Sequence, residues 1–434
     1  EGQGLQSNVI RSGMPLLIND VDAYVKNLSQ VHYIDENDEV IKKYVSNKTE
    51  KNSILHNSIW ELFIDNNNRI WMGYFNSGVA VSDNLFDKFK DLESLPSKRN
   101  SLNISSVTSI VKDKKGDLWM STDGGGIDVY NIKTSKMTHI NKDVSSPYSG
   151  LNSDYIVNLF LDSENNLWAA SWDNGIFLLK NGSKKFINFN NNNFSSIFNT
   201  NTIRSFSEDS KGNVWIGTYF EGLYSFNLKT NKFKKYNSHE FLKHTSLNSR
   251  IMRVFVSSDD IIWVGTADGL FKLKDLCNNK IEIFSLGKRM QKEYGYLSDV
   301  NHILSIYESS NKDIWIGTRG AGLCRYNKKE DSFTWYNKSK GLNEENVSAI
   351  IEDEENNIWV SGNNGLTKIS LKDNKFTNYT SSDGLLSNDF NFGAVLKDEK
   401  GTLYFGNYKG LDYFNPKELE TNSTLPSLHL TDFK

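Results

Sequence analysis

Along most of this chain, apolar and polar residues alternate in short runs, the period of a strand with one buried face. The stretch from Asn201 to Tyr236 shows the pattern most cleanly. NTIRSFSED alternates, SKGN supplies turn chemistry with Gly212 free to take positive φ, and NVWIGT reads as a second strand. After the loop YFEG comes a third strand, GLYSFN, and after LKTN a fourth, KFKKY. Four antiparallel strands joined by short loops, with no helical period among them, make one β-meander sheet.

The unit is copied. A phrase of the form I-W-I-G-T-x-x-x-G-L is anchored at Trp71, Trp119, Trp168, Trp215, Trp263, Trp315, Trp359 and Tyr404, at intervals of 48, 49, 47, 48, 52, 44 and 45 residues. A drifted copy puts Tyr24 47 residues ahead of Trp71. No such unit buries its apolar face alone, so copies must pack on one another. The predicted fold is all-β: a β-propeller of four-stranded antiparallel blades, which leaves only short, protected edges. A parallel β-helix would need shorter rungs and continuous apolar columns. The anchor tryptophans are expected on the second strand, wedged between blades as packing. Asp65, Asp113, Asp162, Asp209, Asp353 and Asp398 end successive first strands and each precedes a turn. They read as turn caps that accept backbone N–H groups, not as a catalytic or calcium set.

Composition narrows the function classes. The 434 residues carry a formal charge of −3 and no basic stripe, which argues against nucleic acid. No apolar run approaches the roughly 20 residues of a membrane helix, and no signal peptide is evident. Cys277 and Cys324 stand 47 residues apart and read as two partly buried thiols. No Cys/His cluster suggests a metal, and no motif suggests a cofactor. The seven histidines are scattered; His239 and His244, in SHEFLKHTSLN, are too loosely placed to form a metal pair.

The copies LNSDYIVNLFLDSENNLWAASWDNGIFLL and GLNEENVSAIIEDEENNIWVSGNNGLTKI resemble the two-component-regulator propeller repeat of hybrid two-component sensors in Bacteroidetes. GLLSNDFNFGAVLKDEKGTLYFGNYKGLDYFNPKEL is similar to the last blade of such a sensor, and TLPSLHLTDFK to the first strand of the Ig-like domain that follows it. The resemblance implies a periplasmic, non-enzymatic sensor ectodomain that binds oligosaccharide to control carbohydrate-utilisation genes and signals as a homodimer. It also implies a membrane helix and a histidine kinase elsewhere in a longer protein. Family sensors carry two seven-bladed propellers, whereas nine copies are countable here. The expected division is two blades over 1–95, the first degenerate, a seven-bladed propeller over 96–420, and the start of an Ig-like domain over 421–434. The alternative is one closed ring of eight or nine blades over 1–420.

Ligand contacts are expected where the copies stop agreeing. The loop between the second and third strands presents Tyr74 and Phe75; Asp123; Trp172, Asp173 and Asn174; Tyr219, Phe220 and Glu221; Asp268; Arg319; Asn363; and Tyr408 and Lys409. Aromatics beside amides, carboxylates and a guanidinium suit sugars, whose C–H faces stack on rings while hydroxyls take planar polar partners. Trp172 and the Tyr219–Phe220 pair are the expected stacking platforms, and Arg319 the hydrogen-bond fork. Two other readings are open. A polysaccharide lyase or glycosidase would need carboxylates converging in one pocket. A docking or dimerisation module would use exposed rim residues such as Phe333, Trp335 and Tyr336. Phe333 and Tyr336, however, recur in other copies as packing residues do.

Overall fold

In the computed structural model the described residues are 31–34, 40–44, 46, 53–65, 69–82, 88–95, 100–143, 146–190, 201–236, 250–275, 280–284 and 302–419. The chain divides into two units, Phe89–Leu419 and the remainder. In the remainder, Val31–Ile34 pairs with Val40–Tyr44, and Ile59–Ile64, Ile70–Tyr74 and Val79–Ser82 form a three-stranded sheet. The expected Ig-like start at 421–434 and Cys277 lie outside the described residues.

Phe89–Leu419 holds seven four-stranded antiparallel sheets. Numbered as blades, their innermost strands are Val107–Lys112, Ile156–Leu161, Ile203–Glu208, Ile251–Val256, Ile303–Glu308, Ala349–Glu352 and Phe390–Lys397. Six blades take their four strands consecutively. The seventh takes three, Phe390–Lys397, Leu403–Asn407 and Gly410–Phe414, and borrows its outer strand, Lys90–Glu93, from ahead of blade 1. That strand precedes the boundary at 96 expected from sequence. The reason is topological: after Phe414 the chain turns into a 3₁₀ turn at Pro416–Glu418, so only the far end of the propeller can supply the missing edge partner. The ring has seven blades because blade 7 packs on blade 1. Tyr404 and Leu411 share a core with Val107, Ile110, Leu118 and Met120, and Lys112 Nζ lies 3.0 Å from Asp398 and 2.8 Å from Glu399.

The anchor residues sit on second strands and reach forward into the next blade. Trp168 packs 5.9 Å from Phe206 and 5.1 Å from Phe226 of blade 3; Trp119, Trp215, Trp263, Trp315 and Trp359 each join the core of the blade that follows. The recurrent aspartates do more than cap turns. Asp209 accepts the Lys211 and Asn213 N–H groups at 3.0 and 2.9 Å, and its other oxygen accepts the Trp215 indole N–H at 2.9 Å. The same indole bond joins Trp71 to Asp65, Trp119 to Asp113, Trp168 to Asp162 and Trp359 to Asp353, and Tyr404 donates to Asp398. In blades 4 and 5 the acceptor is a serine hydroxyl, Ser257 or Ser309.

The glycine of the repeat phrase is a close-approach residue. Gly175 opens the third strand of blade 2 at φ 78°, and a Cβ there would stand 2.2 Å from the Phe189 carbonyl of the outer strand. Only a residue without a side chain lets the two strands pair at that point.

The rim expectation for blade 5 does not hold. Trp335 is 1% exposed and buried in the blade 4–5 core, while Phe333 stacks on Tyr326 at 4.7 Å and Tyr336 is buried against Trp315. Both Trp335 and the adjacent Tyr336 are buried between blades, so neither can serve as an exposed docking residue. Cys324 is buried.

Candidate functional site at the channel mouth

In six blades the second residue of the inner strand, Thr108, Val157, Arg204, Met252, Leu304 or Asn391, faces the central channel. In blade 6 the second residue, Ile350, lies in the core instead. The strand 2–3 loops crown one end of the channel. Backbone bonds tie these loops to the entry of their own inner strand. The Asp123 N–H donates to Ser106 O at 3.1 Å, Trp172 to Tyr155 O at 3.0 Å, Tyr219 to Thr202 O at 3.2 Å, Arg319 to His302 O at 2.9 Å and Tyr408 to Asp389 O at 3.2 Å. In blades 1 to 5 the threonine or serine ending the second strand bonds the glycine carbonyl across the loop, as Thr218 does with Gly222 at 2.8 Å and Ser171 with Gly175 at 3.0 Å. The scaffold thus holds the variable side chains on the rim.

At this mouth lies a recess of about 300 Å³. Its walls are Thr108, Val157, Asn158, Arg204, Met252, Arg253, Leu304, Asn391, Phe392 and Gly393 from inner strands, with Asp123, Tyr155, Trp172 and Tyr408 around the opening. Tyr155, Trp172, Phe392 and Tyr408 are between 41% and 50% exposed, an unusual concentration of open aromatic surface. Trp172 lies 5.8 Å from Tyr219, which meets Phe220 edge-on at 4.9 Å, so the rings run outward from the recess in series.

Arg204 stands with its Cζ 5.5 Å from the Trp172 ring centroid, within cation–π range. Its Nε is buried without a hydrogen-bond partner. Arg253 reaches from blade 4 across to Gly393 of blade 7, where a Cβ would meet Nη1 at 3.0 Å. Burial pushes both guanidiniums below their usual pKa, Arg204 being partly compensated by Tyr219. Both side chains are partly exposed where they line the recess.

Of the residues singled out in the sequence, the structure brings Asp123, Trp172 and Tyr408 to the recess and Tyr219 and Phe220 beside it. Others are already engaged. The Asp173 carboxylate accepts from Ser153 Oγ at 2.5 Å. The Asn174 amide bonds Asn152 O and the Asn190 amide at 3.3 and 2.9 Å. Glu221 pairs with Lys235, and Asp268 pairs with Arg250 at 2.9 Å. Arg319, Asn363 and Lys409 are exposed but outside the recess lining. Tyr74 is no surface loop residue: it ends a strand with 7% exposure, and its hydroxyl accepts the Leu55 N–H at 3.3 Å. Phe75 packs on Trp60 at 4.8 Å in the N-terminal unit. The missed residues, Arg204 and Arg253, lie on inner strands that look like scaffold. Their signal was comparative: Arg204 takes the channel-facing position held by Thr108, Val157, Met252 and Leu304 in other blades.

Four stretches, 101–124, 197–220, 298–320 and 341–364, match the two component regulator propeller model. A curated relative, Histidine kinase P4 of Formosa agariphila, is 29% identical over 345 residues, covering 78% of this chain and 24% of that protein. The extracellular domain of a hybrid two component system from B. thetaiotaomicron superposes with a TM-score of 0.71 at 27% identity, over 86% of this chain and 47% of that one. Virginiamycin B lyase from Staphylococcus aureus shares the fold alone, with a TM-score of 0.55 at 13% identity over 75% of this chain and 98% of the lyase.

Proposed function

We propose that this chain, which carries two-component-regulator propeller repeats and is homologous to extracellular domains of hybrid two-component sensors, is the periplasmic ligand-sensing part of such a sensor, taking an oligosaccharide at the channel mouth to control carbohydrate-utilisation genes. It spans about a quarter of the kinase relative and under half of the matched ectodomain. Among the described residues no helix is long and apolar enough to cross a membrane. Phosphotransfer would belong to parts of the longer relatives that this chain does not span.

The observation that carries this reading is the recess itself: open rings of Trp172, Tyr155 and Tyr408 around a floor that holds Asn158 and the guanidiniums of Arg204 and Arg253. Rings stack on sugar C–H faces, and planar donors orient hydroxyls. The lyase likeness raises catalysis as the rival, but the recess lining contains one carboxylate, Asp123, where glycoside hydrolysis uses two. Calorimetric titration with a panel of oligosaccharides tests the proposal. Trp172→Ala is expected to weaken binding by about 1–3 kcal/mol, the worth of a good stacking contact. Unchanged affinity would remove this mouth as the site, and new reducing ends on incubation would favour the enzyme.

A further inference from the structure

Two cationic side chains deep in one recess, with no counter-ion, are costly. A guanidinium removed from water loses several kcal/mol of solvation unless an anion or hydrogen-bond acceptors replace the lost water. Several other part-buried cations of this propeller meet carboxylates: Lys112 meets Asp398 and Glu399, Arg325 meets Asp313, and Lys328 meets Asp259 and Glu308. Arg204 and Arg253 have no such match among the described residues. The single carboxylate of the lining, Asp123, forms no ion pair with either. Arg204 is braced by the Trp172 ring rather than by charge. Arg253 extends over Gly393, whose φ of 70° and lack of Cβ leave that side of the lumen clear. Both forks belong to the same narrow space, and a planar or tetrahedral oxyanion is the group whose geometry they fit.

We propose that the recess recognises an acidic saccharide, its carboxylate or sulfate ester held by Arg204 and Arg253 while an adjoining sugar ring stacks on Trp172. The assignment rests on the sensing reading above and adds the chemical class of its ligand. It explains why the protein retains two unpaired guanidiniums: they are ligand contacts, kept at the expense of stability as binding sites commonly are. It also makes neutral glycans weaker ligands, because a hydroxyl can accept from the forks but brings no charge to offset theirs.

The test uses the whole chain and matched ligands. Tetragalacturonate and its carboxyl-reduced counterpart form one pair, and a sulfated galactan tetrasaccharide and its desulfated form the other. Sodium sulfate and sodium acetate, at constant ionic strength, report on the anion alone through Trp172 fluorescence. Acidic members should bind and their neutral counterparts bind at least about tenfold more weakly; Arg204→Gln and Arg253→Gln should each remove about tenfold of that preference. Binding confined to the uronate pair assigns a carboxylate ligand, and binding confined to the sulfated pair a sulfate ester. Both variants should melt no lower than the parent, since each removes a partly buried charge that meets no carboxylate among the described residues. Equal binding of acidic and neutral members, lost in Trp172→Ala but kept in the arginine variants, overturns the acidic class and leaves the sensing reading standing. Sulfate binding with no saccharide binding at all overturns both. A fall in melting temperature in both arginine variants, with ligand preference intact, makes the pair structural and also overturns the proposal.

Discussion

At the scale of single residues, the anchor tryptophan and its acceptor act as one unit. Trp168 is fully buried, and Asp162 accepts its indole N–H at 2.8 Å while also accepting the Asn166 N–H at 2.8 Å. Trp168→Ala is expected to cost about 3–5 kcal/mol through lost burial and the cavity left behind. Asp162→Ala should cost about 1–3 kcal/mol, because it strands a buried N–H rather than removing a contact. Urea denaturation of both single variants and the double variant measures this. Since the two side chains share a bond, the double variant should lose less than the sum. Additive losses would show that Asp162 serves the turn alone.

At the scale of the blade, neighbouring sheets are stitched on the face opposite the recess. In blades 2, 4 and 5 the serine in the turn after the first strand donates to the acid ending the next inner strand. Ser163 N and Oγ meet Glu208 at 2.7 and 2.6 Å, Ser258 meets Glu308 at 2.7 and 3.2 Å, and Ser310 meets Glu352 at 2.7 and 2.9 Å. Within blade 1 a titratable bond joins the third and outer strands: His139 Nδ1 lies 2.6 Å from Asp128, which is fully buried and also accepts the Asn103 N–H at 2.8 Å. The bond to Asp128 raises the His139 pKa against the opposing effect of burial. A raised folded-state value means the stabilisation is complete below about pH 6.5, the unfolded value, and is lost as pH climbs through the folded value. Thermal melts from pH 5.5 to 9 should therefore show a decline that His139→Gln flattens. Parallel profiles for the two proteins would discount the pair.

At the scale of the molecule, ring closure depends on a strand borrowed across the whole propeller. Lys90–Glu93 pairs with Gly410–Phe414, and Phe89 packs edge-on against Tyr379 and Phe414 at 5.5 and 4.9 Å. Gly410, at φ 151°, lets the Leu92 carbonyl come within 2.1 Å of where a Cβ would be. Removing residues 1–95 should expose the Gly410–Phe414 edge, lower the melting temperature by several degrees and promote association. A Gly410→Ala change should act in the same direction. Differential scanning calorimetry with light scattering checks both, and an unaltered melt in the truncated protein would mean that the seventh blade does not need its fourth strand.

Much of this was legible in the chain. Period-2 alternation and the recurring tryptophan dictated blades, because a sheet with one apolar face and a copied partner has few ways to bury it. The loops after IWIGT were identifiable as the variable rim, and Trp172, Tyr408 and Asp123 stand at the recess. Trp335 was misjudged because a non-repeating aromatic looks exposed until its strand register is known. Arg204 and Arg253 were not legible for a related reason: whether an arginine meets a carboxylate or an empty lumen depends on strands 40 or more residues away. The local sequence thus determined the blade, its anchor and its turn chemistry, all set by contacts within one repeat. The tertiary structure alone decided which end of the chain closes the ring and which charges are left without partners at its centre, because both depend on what residues remote in sequence bring to the same place.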